Sequence, residues 1–371
     1  MKKTNKTILR TAAAVLYLLA VLPVLGAAAE VTFKGNVTYL NQGDITLEKK
    51  FETAFKEFKQ GKKFDAYFTG YTYVSRHDIR FGNEGASGEP FNLYTEEDKI
   101  KIRRTRTNSF NLTTDSENKG ESPVGIIFLH EATNGKIIDT SQIDLEETFN
   151  VEDYPLFWFG EVDNNDSFNF LTKEFEKSES SIQNEYIFLI GSHVHPQAET
   201  FLYNVALGDY PSKTREQAIF WLGSNKYDKS FEYLKDIYKK EDSNKMREKV
   251  VFSFYLIGDD AAVKELIQIA KNETSAEVRK QSIFWLGQKA TEESVKALKA
   301  VVDDTNEETQ VKQSAVFALS QLPKDRSVPM LIDIARSNDN PKVRENAIFW
   351  LGQKDDKAAL AFFEEILLKK K

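Results

Sequence analysis

The chain has 371 residues, 50 Lys and Arg against 57 Asp and Glu for a formal charge of −7, and no cysteine. The lack of thiols excludes disulfides, thiolate metal sites, cysteine nucleophiles and a lipid-modified N-terminal cysteine, and the acidic balance argues against a surface for polyanions, nucleic acid included. With 41% hydrophobic residues the chain can bury a sizeable core and divide into two structural regions.

Residues 1–29 read as a signal peptide. Lys2, Lys3, Lys6 and Arg10 precede an apolar run from Ala12 to Leu25, and Ala27, Ala28 and Ala29 supply the small residues of a cleavage site. The run is too short for a bilayer span, which takes about 20 apolar residues, so the expectation is export to the periplasm or exterior with no stable membrane anchor after cleavage. Cleavage removes four basic side chains, and the formal charge falls from −7 to −11.

Residues 30–150 are expected to form a small α+β region, an antiparallel sheet with one helix. In LEKKFETAFKEFKQG, residues Leu47, Phe51, Phe55 and Phe58 share a helical face, with Thr46 as N-cap and Gly61 as the stop. The following DAYFTGYTYVS alternates as a strand does, Tyr67, Thr69, Tyr71 and Tyr73 against Phe68, Gly70, Thr72 and Val74. Further strands are expected over 99–107, 124–130 and 136–145, interrupted by polar loops at 81–90 and 113–123. The glycines at 82, 85 and 88 fail as a phosphate cradle because Glu84 and Glu89 repel phosphate and no Gly-Lys-Ser/Thr follows. Lys99, Lys101, Arg103, Arg104 and Arg106 form a basic cluster, read as a solvated strand face. His130-Glu131 opens like a zinc-protease helix, but Asn134 stands where the second histidine belongs.

From residue 151 to 371 the sequence repeats. Trp158, Trp221, Trp285 and Trp350 each lie two residues before a glycine and are 63, 64 and 65 residues apart. Weaker copies fall midway, giving seven: LFWFG (156–160), YIFLIG (186–191), REQAIFWLG (215–223), REKVVFSFY (247–255), RKQSIFWLG (279–287), KQSAVFALS (312–320) and RENAIFWLG (344–352). A second apolar segment follows each, centred on Leu171, Leu202, Leu234, Leu266, Leu298, Leu331 and Phe363. The period of 31 to 33 predicts about seven helical hairpins stacked as a solenoid, because one hairpin alone cannot bury both its apolar faces. Indoles in alternate copies, with Leu189, Ser253 and Ala318 between them, predict a large-small alternation in the interior. The glycine after each stripe reads as a helix terminator. Arg215, Arg247, Arg279, Lys312 and Arg344 open the first helices, and the expectation is hydrogen bonding to the loop carbonyls and carboxylates of the preceding unit.

These units, AIFWLGQ above all, resemble HEAT repeats of the short, phycobilisome-lyase-like type and of exported bacterial HEAT-repeat proteins. The resemblance covers residues 151–371. It implies a mostly α fold and protein binding through a concave face lined by the second helix of each hairpin.

On that second helix the candidate partner-binding residues are Tyr203, Tyr233, Lys264, Ile267 and Lys296, a polar face dotted with aromatic and aliphatic side chains. His193 and His195 are alternate residues in a turn with no third histidine near, and Asp163, Asn164, Asn165 and Asp166 lack the spacing of a calcium loop, Asp166 or Ser167 serving as a helix cap. No catalytic, cofactor or metal set emerges, and the expectation is a non-enzymatic scaffold of the envelope or exterior with a protein partner. The alternative is an enzyme or enzyme accessory with His130, His193 or His195 at the junction of the two regions.

Overall fold

A computed structural model describes residues 32–41, 45–61, 64–76, 91–96, 99–104, 121–143, 145, 148–151 and 154–368. The signal-peptide stretch, the loop at 81–90, residues 113–120 of the second loop and Arg106 lie outside these residues, while Ser122 and Pro123 of that loop already belong to a strand. The chain divides into two compact units, one ending at Ser167 and one beginning at Phe168.

The first unit is built on a five-stranded sheet. Its strands are β2 (Val37–Tyr39), β3 (Ala66–Ser75), β6 (Ser122–Glu131), β7 (Ile137–Ile143) and β9 (Leu156–Glu161), in the order β2-β9-β3-β6-β7. β1 (Thr32–Lys34) pairs with β8 (Thr148–Asn150), and β4 (Phe91–Glu96) with β5 (Lys99–Arg104), which carries the start of the basic cluster. β3 and β6 pair antiparallel over ten residues, from Ala66 opposite Glu131 to Ser75 opposite Ser122. The sheet is mixed rather than antiparallel, because β9 runs parallel to both β2 and β3.

β9 is LFWFG, so the first of the seven expected hairpins is a strand followed by a helix. Three local features explain this. The segment lacks the polar helix-forming prefix of copies such as REQAIFWLG, Pro155 pushes Tyr154 toward extended backbone, and Gly160 turns the chain at φ +73°. Both faces of the strand are buried: Leu156 and Trp158 join a core with Phe68, Ile127 and Phe149, while Phe159 meets Phe51 on the other side. The unit boundary therefore falls after residue 151, within α2 (Asn164–Lys177). The face opposite the Trp158 cluster is covered by α1 (Leu47–Gly61), whose Thr46 caps Lys49 and whose Phe58 stacks on Tyr67 at 4.5 Å.

The second unit is a HEAT-like α-solenoid. After α2 come six hairpins: α3 (Ser180–Ser192) with α4 (Ala198–Leu207), α5 (Ser212–Asn225) with α6 (Ser230–Lys240), α7 (Asn244–Ile257) with α8 (Asp260–Asn272), α9 (Ala276–Lys289) with α10 (Glu292–Asp303), α11 (Thr309–Ser320) with α12 (Lys324–Ser337), and α13 (Pro341–Gly352) with α14 (Lys357–Leu368). First helices pack on first helices, from α3 against α5 through to α11 against α13. Capping residues set the starts: Asp259 accepts from the Ala262 amide at 2.8 Å, and Asn340 from Lys342 at 3.0 Å ahead of Pro341. In the last hairpin the fully buried ring is Phe362, and Phe363 is half-buried.

The glycines after Trp221 and Trp285 do not end their helices, whereas α13 stops at Gly352, with Gln353 in right-handed backbone after it. α5 and α9 continue past Gly223 and Gly287, and the left-handed caps are Lys226 and Ala290, with Gly258 closing α7. What demands glycine is the following layer. A Cβ on Gly191 would lie 2.6 Å from the Trp221 ring, on Gly223 2.6 Å from the Ser253 Cβ, and on Gly287 2.8 Å from the Ala318 Cβ. Each glycine is the floor on which the next copy's tryptophan-position residue rests, so large and small side chains alternate along one seam. Trp158 and Trp221 are buried, but Trp285 and Trp350 are only half-buried. The expectation of four interior indoles is corrected there. Copy four places Tyr255 where a glycine would stand, and Trp285 lies across Tyr255 and Phe252 at 4.5 and 4.7 Å instead of in a socket.

The arginine register ties layers together in both directions. Arg215 Nε donates to the Ala206 carbonyl at 2.7 Å, Arg247 Nε to that of Glu241 at 2.8 Å, Arg279 Nη1 to that of Glu273 at 2.7 Å, and Arg344 Nη1 to that of Asn338 at 2.7 Å. All four carbonyls lie at or next to the C-terminal end of the preceding second helix, where backbone oxygens lack helical partners. The carboxylate partners lie ahead rather than behind: Arg215 pairs with Glu241, Arg247 with Glu273 at 3.6 Å, and Arg279 with Glu307 and Glu308 at 2.9 and 3.0 Å. The reason is that Glu241 and Glu273 are themselves C-cap residues, and each also accepts an amide from the next first helix's cap, Ser243 and Ser275. Lys312, the fifth cation of the register, is buried.

Candidate functional site

The second helices bring two of the sequence-derived candidates into contact. Tyr203 of α4 and Tyr233 of α6 stack with ring centroids 4.2 Å apart and planes 17° from parallel. The Tyr203 hydroxyl donates to Asp236 Oδ2 at 2.6 Å, and Lys240 Nζ meets the same oxygen at 2.6 Å. Thr200 Oγ1 lies 3.4 Å from the Tyr233 hydroxyl. The bond to Asp236 raises the Tyr203 pKa, and hydrogen bonds from Lys240 and Tyr203 hold Asp236 below the usual carboxylate range. The result is a half-exposed aromatic platform whose hydroxyls are fixed in direction.

The remaining candidates continue along the same series of helices. Lys264 is exposed and Ile267 half-buried one turn later on α8, and Lys296 is exposed on α10, which packs against α8. Lys235 pairs with Glu265 at 2.9 Å and joins α6 to α8 between the two groups. Tyrosine hydroxyls, two ammonium groups and an isoleucine can together bind by stacking, hydrogen bonding and charge, the mixture found at protein interfaces.

The three histidines among the described residues, His130, His193 and His195, serve the fold around them. His130 is buried on β6, with Nδ1 donating to the Gly135 carbonyl at 2.9 Å, Nε2 placed to accept from Thr69 Oγ1 at 2.8 Å, and its ring stacked on Tyr67. Burial pushes its pKa down to about 4 despite the bond to Gly135. His193 follows α3 and donates from Nδ1 to the Leu189 carbonyl at 2.7 Å, while burial lowers its pKa to about 3. His195 stacks on Phe168 at 3.8 Å and accepts the Gln197 amide at 3.2 Å. Asn134, where the zinc-protease pattern fails, donates to Glu131 in the turn from β6 to β7. In the 163–166 stretch the helix cap is Asp163 rather than Asp166 or Ser167: its carboxylate accepts the Asn165 amide at 2.8 Å, while Asn164 hydrogen-bonds both backbone groups of Val74. Among the described residues no three His, Asp or Glu side chains are grouped to hold a metal.

The sequence reading missed a second aromatic row. Phe188, Phe220, Phe252, Phe284, Phe317 and Phe349 occupy one position of every first helix, half-buried or exposed. The rings step forward to the next layer's indole: Phe188 to Trp221 at 5.6 Å, Phe252 to Trp285 at 4.7 Å, Phe317 to Trp350 at 5.0 Å. The signal was present as the phenylalanine before the tryptophan position of every copy, standing ahead of Leu189, Ser253 and Ala318 as well as ahead of Trp221, Trp285 and Trp350.

Comparison with family models agrees with the helical-repeat architecture. Residues 263–344 match the family model for HEAT repeats. No curated protein matches the sequence. Among solved structures, human deoxyhypusine hydroxylase is similar at 16% identity over 54% of this chain and 85% of its own, with a TM-score of 0.25. The Escherichia coli protein YibA is similar at 21% identity over 46% of this chain and 64% of its own, TM-score 0.32, so the match spans less than two thirds of that protein. The CpcE–CpcF complex of phycocyanin lyase from Nostoc is similar at 15% identity over 50% of this chain and 76% of the matched one, TM-score 0.33.

Proposed function

We propose that the protein is an exported, non-enzymatic binding scaffold of the cell envelope or exterior, taking a protein partner on the face formed by its second helices. The observation that carries this reading is the Tyr203–Tyr233 stack, held by Asp236, Lys240 and Thr200 before any partner arrives. Stacked tyrosines offer a large rigid surface at little conformational cost, which is why such rings anchor interfaces. Lys264 and Lys296 add cations beside Ile267, favouring a partner with an acidic rim around an apolar centre. The leader-like N-terminus supports export, and His130, His193 and His195 all take part in local packing and backbone bonds.

The test is affinity capture from the host envelope fraction with the wild type, followed by the variant carrying Tyr203→Ala, Tyr233→Ala and Ile267→Ala. The captured protein should be lost from the variant while its thermal unfolding stays cooperative. Equal capture by both chains would overturn the assignment of this face.

A further inference from the structure

Copy four breaks the repeat at one position. Every other copy has glycine or serine two residues after the tryptophan position, Gly160, Gly191, Gly223, Gly287, Ser320 and Gly352, whereas copy four has Tyr255. With a ring in that place Trp285 lies across Tyr255 and Phe252 at 4.5 and 4.7 Å, and Phe284 meets it edge-on at 4.8 Å. Phe252, Tyr255 and Trp285 are half-buried and Phe284 is 37% exposed, so these first helices carry an aromatic cluster that reaches water. A cation sits on the cluster. Lys289, in the last turn of α9, places Nζ 4.8 Å from the centre of the Tyr255 ring, in the space a side chain on Gly258 would take. Lys235, Lys240, Lys245, Lys249 and Lys299 all reach carboxylates, but Lys289, half-buried, has no hydrogen bond and no ion pair among the described residues. Burial and the charge of Lys226 lower its pKa, against the attraction of Asp259, whose carboxylate is held by the Ala262 amide as the cap of α8. An ammonium taken from water without a carboxylate in return is stabilised by an incoming anion.

We infer that Lys289 and the rings of Phe252, Tyr255 and Trp285 form a binding site for the C-terminal residue of a peptide chain, with its carboxylate on Lys289 and an apolar or aromatic side chain on the rings. The site is separate from the second-helix face, since its residues all belong to the first helices α7 and α9. Two observations favour a chain end. The first is charge: Lys289 lacks an anion of its own and Lys226 adds a second positive charge, so the site is complementary to a carboxylate. The second is distance. With the ammonium 4.8 Å from one ring and that ring 4.5 Å from the indole, the anion and the apolar group it accompanies must lie within one residue of each other. A chain end carries both on the same α-carbon, and capture of a terminal carboxylate is a known mode of peptide recognition. An aspartate or glutamate inside a chain spends its own side chain on the carboxylate and must bring the apolar group from a neighbour, with backbone continuing past the rings on both sides.

Indole N–H resonances of the full chain, followed during titration with the N-acetylated peptide Ala-Ala-Phe, test the inference. The free-acid peptide should shift the Trp285 resonance, assigned with Trp285→Phe, and leave that of Trp158 in place. The same peptide with an amidated C-terminus should bind at least about tenfold more weakly, and so should amidated Ala-Phe-Glu-Ala, which carries its carboxylate inside the chain. Lys289→Met should abolish the preference for acid over amide while thermal unfolding stays cooperative, since the ammonium makes no bond within the chain among the described residues. Lys226→Met, at an exposed side chain, should weaken binding of the acid by about two- to fivefold. A wild type that binds neither peptide, or acid and amide equally, overturns the inference. So does a shift at another indole with Trp285 unmoved, or a Lys289→Met chain that keeps the preference. Equal binding of the peptide with the internal glutamate overturns the chain end as the occupant.

Discussion

Gly191 of α3 lies directly beneath Trp221 of α5: a Cβ built on the glycine would stand 2.6 Å from Cγ of the indole. No rotamer change can relieve that overlap without lifting the ring out of the seam, because Trp221 is also packed by Phe188 and Phe220. Gly191→Ala should therefore destabilise the second unit by about 1–3 kcal/mol, the usual cost of overpacking a tight core. Gly352→Ala, at the equivalent but open position, should be neutral or stabilising by up to about 1 kcal/mol from helix propensity. Urea denaturation of the two variants distinguishes a seam glycine from a terminator, for which both changes would act alike.

Arg279 holds two layers at once, with Nη1 on the carbonyls of Glu273 and Thr274 and Nη2 on Glu307 and Glu308. Its side chain and that of Glu307 are each only 9% exposed. Arg279→Ala leaves a buried carboxylate and helix-end carbonyls without their donor and should cost about 3–5 kcal/mol. Lys299→Ala, which removes an exposed pair with Asp333, should change stability by less than about 1 kcal/mol. Comparable losses in the two variants, measured by denaturant midpoint, would show that the arginine register carries no special share of the stacking.

Acid should weaken the fold before the carboxylates titrate. Above pH 6.5 the His130 and His193 rings are neutral in both folded and unfolded chains. Below it the unfolded chain takes up protons first, because burial lowers the folded values to about 4 and about 3. Stability therefore falls as pH drops through this window and the loss is complete only below those values. Glu273 adds to the decline at lower pH: burial opposes its charge, but donation from Tyr238, Ser275 and Thr274 and the Arg247 charge outweigh that and hold its pKa below 4.5. His130→Gln should flatten the slope of stability between pH about 6.5 and about 4, read as denaturant midpoint against pH. An unchanged slope would remove His130 as a source of the acid sensitivity.

The two half-buried indoles should dominate fluorescence quenching. Trp158 and Trp221 are sealed at 5% and 3% exposure, whereas Trp285 and Trp350 reach the surface. Replacing Trp285 and Trp350 with phenylalanine should remove most of the acrylamide-quenchable emission. Replacing Trp158 and Trp221 should leave the quenchable part in place.

The sequence by itself determined the helical period, the hairpin count from copy two onward, the arginine register and the α1 helix with its Thr46 cap. These are consequences of spacing and of local backbone preference, and spacing is what a linear text records. It also placed Tyr203 and Tyr233 on equivalent helices. What only the tertiary structure decided was which neighbour each residue meets. LFWFG carries the repeat's letters but becomes β9, because a sheet edge next to β3 was available and Pro155 and Gly160 bound the segment. The glycines read locally as helix stops are seam floors, since the close approach that requires them comes from a helix about 30 residues later. The tyrosines become one platform because burial is a property of packed surfaces, and stacking of layers fixes which side of each helix remains in water.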